Sequence, residues 1–561
     1  MSSHKILNIH PPIPELKNRL SQELRISAIL SQVLINRGIR TSREAESFLN
    51  VRLSDLGDPF MFADMHKAVD LIRKASRDKE RIMVCGDYDV DGITALALLL
   101  GTLSKIGAEA VHYVPHRIKD GYGLNRKVVE IAKEKNIKLV ITVDCGTSSF
   151  EVIEELRKNN IEVIVTDHHE PSVPVKPAAS AFINSKLNGS CDKYSVLAGV
   201  GVAYKLCQAL TGKKLIEDLD LVALGTIADV VPLTGENRII AKEGLNQLAK
   251  GSRMGIKALA EVARIKQEEI NSTYVSFILG PRINASGRVA TAQASLDLLM
   301  SRDKAEACTL ARSIDGYNRQ RQKIESKILQ EAQDLIEKEV NFKEHKIICV
   351  AKDGWHQGVL GIVASKLADR FYRPAIVISV NEGLCKGSGR SIKNFHLFGA
   401  LTECKGLLQS FGGHSHAVGL SVAKDNIAPF KDQINRVAKE RLSLEDLLPS
   451  FDIDIELGLL DAGAALADEL KELAPFGTGN PEPLFFSRNL KLKGEPQVLG
   501  RDTLKFWITD TAATRQAIAF GMGSLKNSLM NAQSLDLVYT LGTDDWDQDS
   551  VILRAKDIFL R

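Results

Sequence analysis

From Arg81 onward, short apolar runs alternate with helical stretches. Arg81–Cys85 predicts a buried strand, and Ala110–Val114, Lys138–Val143 and Glu162–Thr166 predict three more. Between them Ile93–Ile106, Asn125–Glu134 and Ser148–Lys158 read as helices, with Asn125 placed to cap the second. Strand and helix at this rhythm build βαβ units, hence a parallel sheet with helices on both faces. Ala198–Leu210 and Leu219–Ala228 predict two further helices.

After Ser301 the pattern changes. Ala305–Val340 predicts a long, highly charged helix of the kind that connects domains. Lys346–Val350 and Pro374–Val380 are apolar strands flanking the helical stretch Gly361–Phe371, a second and smaller α/β unit, and Asp425–Leu442 predicts a helix after it. From Phe451 strands dominate: Phe451–Leu457, Pro483–Leu492, Thr503–Thr509, Ala517–Phe520, Leu535–Leu541 and Val551–Ile558. Short strands with one helix among them, Ala462–Leu473, suit a small β-barrel.

At 561 residues the chain is too long for one core and implies about three or four domains. Its 44% hydrophobic and 25% charged residues are those of a soluble globular protein. No apolar run approaches the roughly 20 residues of a membrane span, and the start of the chain, with Pro11, Pro12 and Pro14, has no secretory h-region. The eight cysteines are scattered without a CxxC pair. That argues against a disulfide framework or zinc site, and for reduced thiols in a cytoplasm. Residues 451–561 hold 11 Lys and Arg against 17 Asp and Glu, a net charge of −6, so the first 450 carry +9. A nucleic-acid contact made by the acidic region would have to lean on aromatics, of which Phe485, Phe486, Trp507, Tyr539 and Trp546 are candidates.

Ligands of open α/β sheets bind at the carboxyl ends of the strands, and four acidic clusters fall there. Gly86-Asp87-Tyr88-Asp89-Val90-Asp91-Gly92 follows the first strand. Any one of its aspartates could be a helix cap; three together repel unless a cation gathers them. Val143-Asp144-Cys145-Gly146-Thr147 and Asp167-His168-His169-Glu170-Pro171 end later strands, and Asp229 lies in the apolar stretch Gly225–Leu233, where a buried carboxylate is costly unless paired or metal-bound. Carboxylates and imidazoles without thiolate suit Mg²⁺ or Mn²⁺, histidine favouring Mn²⁺. Several aspartates can bridge two ions about 4 Å apart, a spacing that suits in-line attack at phosphorus.

In that order DYDVDG, VDCGT, DHHEP and GTIADVVPL resemble motifs I to IV of the DHH phosphoesterases. Further segments resemble the RecJ-like exonucleases of that family: Pro115-His116-Arg117 with Gly121–Asn125, Leu197–Ala203, Gly280–Arg288, Trp355–Gly361, Lys386–Ser391, Gly412-Gly413-His414 and Ala474–Pro481. The resemblance implies a parallel-sheet DHH domain (51–302) after an N-terminal segment (1–50). A connecting helix (303–342) then leads to a smaller α/β DHHA1 domain (343–446) and an OB-fold β-barrel (447–561) that grips single strands. It implies a cytoplasmic, metal-dependent 5′→3′ single-stranded-DNA exonuclease of repair and recombination that uses two Mn²⁺ or Mg²⁺ ions and yields mononucleotides. Asp89, Asp91, Asp144, His168 and Asp229 would be the metal ligands, with Asp144 bridging and His169 beside the scissile phosphate. Asp87 and Asp167 would orient ligands from behind. Cys85 stands where related pyrophosphatases place a metal-binding histidine and is not counted as a ligand.

Arg117, Ser388 and Arg390 match residues that hold a 5′ phosphate, and the segment Gly387–Ser391 also offers backbone N–H groups for one. Tyr122 matches a base-stacking aromatic, Arg288 an arginine near the cleaved phosphate, and His414 a residue facing substrate; Arg282 and Asn284 join the DNA contacts. Trp355-His356 is read equally well as packing. A single-strand-binding protein and a recombination helicase are the partners the resemblance implies, with a monomer and no membrane. Some family members carry a domain after the barrel, for which the chain ending at Arg561 leaves no counterpart. The rival readings are a small-substrate phosphodiesterase for short oligonucleotides or cyclic dinucleotides, a pyrophosphatase, and a scaffold that has lost its ligands. GYGLN, PRINASGR and the barrel weigh against the first, DYDVDG against the second, and the intact ligand set against the third.

Overall fold

Five short apolar strands make the first sheet: β1 (Ile82–Gly86), β2 (Ala110–Tyr113), β3 (Leu139–Val143), β4 (Glu162–Asp167) and β5 (Ala181–Asn184). In the computed structural model, which describes residues 5–121, 123–171, 175–187, 192–543 and 551–561, they pair in the order β2-β1-β3-β4-β5, all parallel. β1, β3 and β5 are buried along their whole length and β4 everywhere but Glu162, as strands covered on both faces must be. Because β1 lies between β2 and β3, the sheet has its topological switch point at the carboxyl ends of β1 and β3. Helices α1 (Val90–Lys105), α2 (Gly199–Thr211) and α3 (Leu219–Ala228) are buried over most of their surface.

Helix α4 (Gly280–Val289) precedes the connecting helix α5, a single 36-residue helix over Lys304–Glu339. Asp303 caps α5 by accepting the Glu306 N–H at 2.8 Å. It is more than a spacer: Ala307, Ala311 and Ile314 are buried near its start, and Ile328, Ala332 and Ile336 near its end join a core with Val350, Trp355 and Leu360. A second sheet follows, built from β6 (Ile348–Asp353), β7 (Ala375–Val380), β8 (Leu384–Arg390), β9 (Leu408–Gly413) and β10 (Ala417–Ala423). Its order is β9-β10-β8-β7-β6; only β6 and β7 run parallel, and helix α6 (Leu360–Phe371) joins them.

Both sheets belong to one unit, which comprises Met1–Lys5, Asp58–Asp229 and Gly244–Pro449; Ile6–Gly57, Val230–Glu243 and Ser450–Arg561 form the other. The second unit is a barrel of β11 (Ile455–Glu456), β12 (Phe485–Leu499), β13 (Thr503–Thr509), β14 (Thr514–Phe520), β15 (Leu535–Thr543) and β16 (Val551–Leu560), ordered β11-β12-β13-β14-β16-β15 and closed by β15 pairing back to β12. The sequence pattern sets residues 1–50 apart from the barrel, yet the two share a core. Leu30, Val33, Leu34 and Leu49 pack with Leu459, Leu466, Phe485 and Leu537. Arg238 is buried beside them, donating to the carbonyls of Phe48, Leu473 and Glu472 at 2.6, 2.8 and 3.2 Å and lying 3.8 Å over the Phe48 ring. Among the described residues no helix is long and apolar enough to cross a membrane.

Candidate metal centre and phosphate pocket

β1 runs directly into α1, so Asp87, Asp89 and Asp91 crowd one strand-to-helix turn. Asp89 caps α1, accepting the Gly92 N–H at 3.1 Å. Asp91 is buried and accepts the Gly199 and Val200 N–H groups at 2.7 and 2.8 Å, so the positive end of α2 grips it. Only glycine lets α2 come so near: a Cβ on Gly199 would lie 2.5 Å from Asp144 Oδ1. Asp144 follows β3 with a left-handed φ of 59°, which Asp tolerates better than most residues. Its N–H donates to Thr166 of β4 at 3.0 Å.

The end of β4 brings in the imidazoles. His168 Nε2 lies 3.7, 3.3 and 3.5 Å from carboxylate oxygens of Asp91, Asp144 and Asp229, yet hydrogen-bonds to none. Among the described residues, three groups of donor atoms gather within 4.8 Å of one another: Asp87, Asp89 and Asp144; Asp91, His168 and Asp229; and Asp144, His168 and His169. Asp144 therefore joins two adjacent clusters, and Asp87, expected to act from behind, presents an oxygen to one of them directly. Asp229, expected in a buried stretch, caps α3 and keeps about a quarter of its side chain exposed (24%).

The electrostatics call for cations. Desolvation, together with Asp91, Asp89 and Asp229, holds the Asp144 carboxyl well above the carboxylate range, and desolvation with Asp91 and Asp89 does the same to Asp229. Asp87 is raised in the same way, by burial and by Asp89. Burial and Asp89 raise Asp91 to about 7 against the two amides that stabilise its anion. Burial, then His169, lowers His168 to about 3, leaving a neutral imidazole fit to ligate. Crowded oxygens plus neutral nitrogen, with no thiolate, form a donor set that fits Mn²⁺ or Mg²⁺. Cys85 stands outside these groups, and burial pushes its thiol up.

His169 is held differently. Burial would lower its imidazole, but the hydrogen bond to Asp167 prevails and raises it to about 9. Burial likewise opposes the Asp167 anion, but His169, His168 and the Thr147 N–H hold that carboxyl well below its ordinary range. The His414 ring stacks with His169 at 6.4 Å between centroids, bringing the loop after β9 to the carboxylate cluster.

A cationic pocket adjoins the metal site. The Arg288 guanidinium is lowered to about 9 by burial and then by Arg117, Arg321 and Arg390, while Asp89 acts in the opposite sense. Arg288 thus feels both the carboxylates and the arginines. Arg117 lies 4.7 Å over the Tyr88 ring. At the start of α6, a Cβ on Gly361 would meet Ser388 Oγ at 3.1 Å and an Arg390 guanidinium nitrogen at 3.2 Å, so Ser388, Arg390 and a helix N-terminus face one small space. The expectation that backbone N–H groups of 387–391 are available there is corrected. Residues 387–390 lie on β8, a central strand laddered to β7 and β10, which leaves the side chains to bind.

Two expected DNA contacts have other partners. Arg282 pairs with Asp315 at 3.1 Å, and Asn284 accepts the Val90 N–H at 3.1 Å, fixing the turn that carries the aspartates. Tyr122 and Trp546 lie outside the described residues. Of the other barrel aromatics, Phe485, Phe486 and Tyr539 are core, whereas Trp507 is 47% exposed. Phe520, which sequence reasoning missed, is 66% exposed. Arg321 was missed too: it lies within a charged helical stretch that reads as solvated, yet it is buried and tied to Asn318 and Glu325.

Sheet topology, strand-end aspartates and the Asp-His-His turn define a DHH-family hydrolase. The family model described as "DHH family, N-terminal domain" matches residues 81–226, the DHHA1 domain 344–440 and the RecJ OB domain 453–557. The chain is 38% identical over 542 residues to the single-stranded-DNA-specific exonuclease RecJ of Bacillus subtilis, covering 96% of this chain and 69% of that one. With RecJ of Dickeya dadantii it shares 35% over 564 residues, 95% and 97% of the two chains. Thermus thermophilus RecJ in complex with Mn²⁺ superposes with a TM-score of 0.86 at 28% identity, covering 100% of this chain and 80% of that one. The Mg²⁺ complex gives 0.77 at 27%, covering 99% and 78%. The chain belongs to the RecJ family of exonucleases.

Proposed function

We propose that this protein removes mononucleotides from the 5′ end of single-stranded DNA by two-metal phosphodiester hydrolysis. The observation that carries the reading is Asp144, one carboxylate joining two donor clusters beside a pocket of arginines. Family membership supports the substrate, since the relatives are named single-stranded-DNA-specific exonucleases.

Asp89, Asp91, Asp144, His168 and Asp229 would hold two Mn²⁺ or Mg²⁺ ions, with Asp87 a further oxygen for the cluster of Asp89 and Asp144. When bound, such a pair lowers the pKa of a water nucleophile and neutralises charge on the phosphoryl and leaving oxygens. His169, kept protonated by Asp167, donates to an oxygen of the scissile phosphate. Arg117, Ser388 and Arg390 hold the terminal phosphate, and Arg288, between the two sites, holds the phosphate being cut. A terminal-phosphate pocket beside the metals admits one nucleotide at a time from a 5′ end, which gives both polarity and product size. The exposed faces of Trp507 and Phe520 retain the strand by stacking. A cytoplasmic monomer working with a single-strand-binding protein and a recombination helicase in repair completes the reading.

Product analysis tests it. With Mn²⁺, a 5′-labelled single strand should release labelled mononucleotide from the first turnover, a 3′-labelled strand should shorten progressively, and duplex should resist. Release of the 3′ label first, or preference for a cyclic dinucleotide, would favour the small-substrate reading instead.

A further inference from the structure

The Arg288 guanidinium donates to the carbonyl of Gly358 at 3.0 Å, from α4 to the DHHA1 domain. That carbonyl belongs to a single 3-10 turn, Gln357–Val359, capped by His356, whose Nδ1 accepts the Gly358 N–H at 3.2 Å. The fit is close: a Cβ on Gly358 would lie 2.4 Å from the Arg288 carbonyl oxygen and 3.0 Å from the His356 ring. The turn is anchored from behind, where the Trp355 carbonyl accepts the Ser379 hydroxyl at 2.6 Å and the Trp355 indole donates to Glu331 of α5 at 2.9 Å. Burial keeps the His356 ring below its ordinary value and therefore neutral, so that Nδ1 can accept. Arg117, Arg321 and Arg390 repel Arg288 while Asp89 attracts it, and the Gly358 carbonyl gives its guanidinium a fixed acceptor among these charges.

We propose that His356 is a positioning residue: by capping the turn it fixes the Gly358 carbonyl, which aims Arg288 at the phosphate being cut. The DHHA1 domain thereby arms an arginine of the DHH domain. The proposal rests on the reading of Arg288 as a contact to that phosphate, and it gives the Trp355-His356 pair a role beyond packing.

The test is a double-mutant cycle on the full chain, measuring nucleotide release from a 5′-phosphorylated single strand in Mn²⁺. His356→Ala should lower kcat about tenfold, as a misplaced contact group does, while KM and the Mn²⁺ midpoint stay within about twofold. His356→Asp, which keeps a cap acceptor, should restore most of the rate. In an Arg288→Ala background, His356→Ala should change kcat by less than about twofold, because the two act as one unit. Thermal melts verify each variant; His356→Gln, polar but a poor cap, replaces a His356→Ala that does not fold. Unchanged kcat in the single variant, or losses that multiply in the double, overturns the proposal while leaving Arg288 its role. Full activity of Arg288→Ala overturns that role and the proposal with it.

Discussion

Asp167 Oδ1 lies 2.7 Å from His169 Nδ1, and the same oxygen accepts the backbone N–H groups of His168 and His169 at 2.8 and 3.2 Å. One carboxylate thus sets the direction of the loop and the charge of its second imidazole. Asp167→Asn keeps an acceptor but removes the charge, so the His169 pKa should fall from about 9 toward its ordinary value. His169 NMR titration of the metal-free variant reads this directly, and the rate at pH 8 should drop about tenfold or more. Stability moves with it. The raised His169 pKa stabilises the fold fully below about pH 6.5 and loses that contribution as pH rises through 9.

Metal affinity should depend on pH through the raised carboxyls of Asp87, Asp144, Asp229 and Asp91, of which Asp91 titrates nearest neutrality. Its pKa of about 7 means that the metal-free fold carries an extra proton there from about pH 4 up to 7, and a cation must displace it. The rise in Tm given by a fixed Mn²⁺ concentration should therefore grow between pH 6 and pH 8. Calorimetry at pH 6 should detect proton release on Mn²⁺ binding. Equal increments at both pH values would contradict a cation held by these raised carboxyls, Asp91 among them.

Arg390→Ala should erase the preference for a 5′-phosphate over a 5′-hydroxyl and leave the Mn²⁺ midpoint in place, because its guanidinium faces Ser388 and the start of α6. Competition between the two strand ends at limiting enzyme measures the preference. Unaltered discrimination would put the terminal phosphate elsewhere.

The barrel is best probed at its surface. Cutting the chain near Leu448 would strip the core that Leu30, Val33 and Leu34 share with barrel strands, so truncation tests folding before binding. Trp507→Ala with Phe520→Ala leaves the core intact. Stacking is worth ~1–3 kcal/mol per base, so affinity for a long strand should fall by roughly one to two decades per lost contact. Cleavage of a very short strand should persist.

The parallel sheet was legible because β1, β3 and β4 are largely apolar runs that end in or lead directly into aspartate, a pattern that locates both the strands and the chemistry at their ends. The 36-residue helix was legible from its long charged helical pattern, in which Gly316 is the only weak point. Other features depend on distant approach, which local pattern does not encode. Asp91 is held by amides of Gly199 and Val200, more than a hundred residues away. Asn284, read as a DNA contact, also accepts the Val90 N–H across a separation of 194 residues. The 387–391 segment reads as a source of backbone N–H groups for a phosphate; strand pairing of 387–390 with β7 and β10, set by distant residues, engages that backbone instead.

The account stands on Asp144, whose carboxylate belongs to two of the three donor groups. The most direct measurement is the rate of mononucleotide release by Asp144→Ala at saturating Mn²⁺, with strand binding measured alongside. Hydrolysis should be abolished while binding persists, since the arginines that hold phosphate are untouched and the repulsion of the strand by the Asp144 carboxylate is relieved. A variant keeping more than roughly a tenth of the parent rate, a loss under ~1.4 kcal/mol, would contradict a two-metal centre built on this residue.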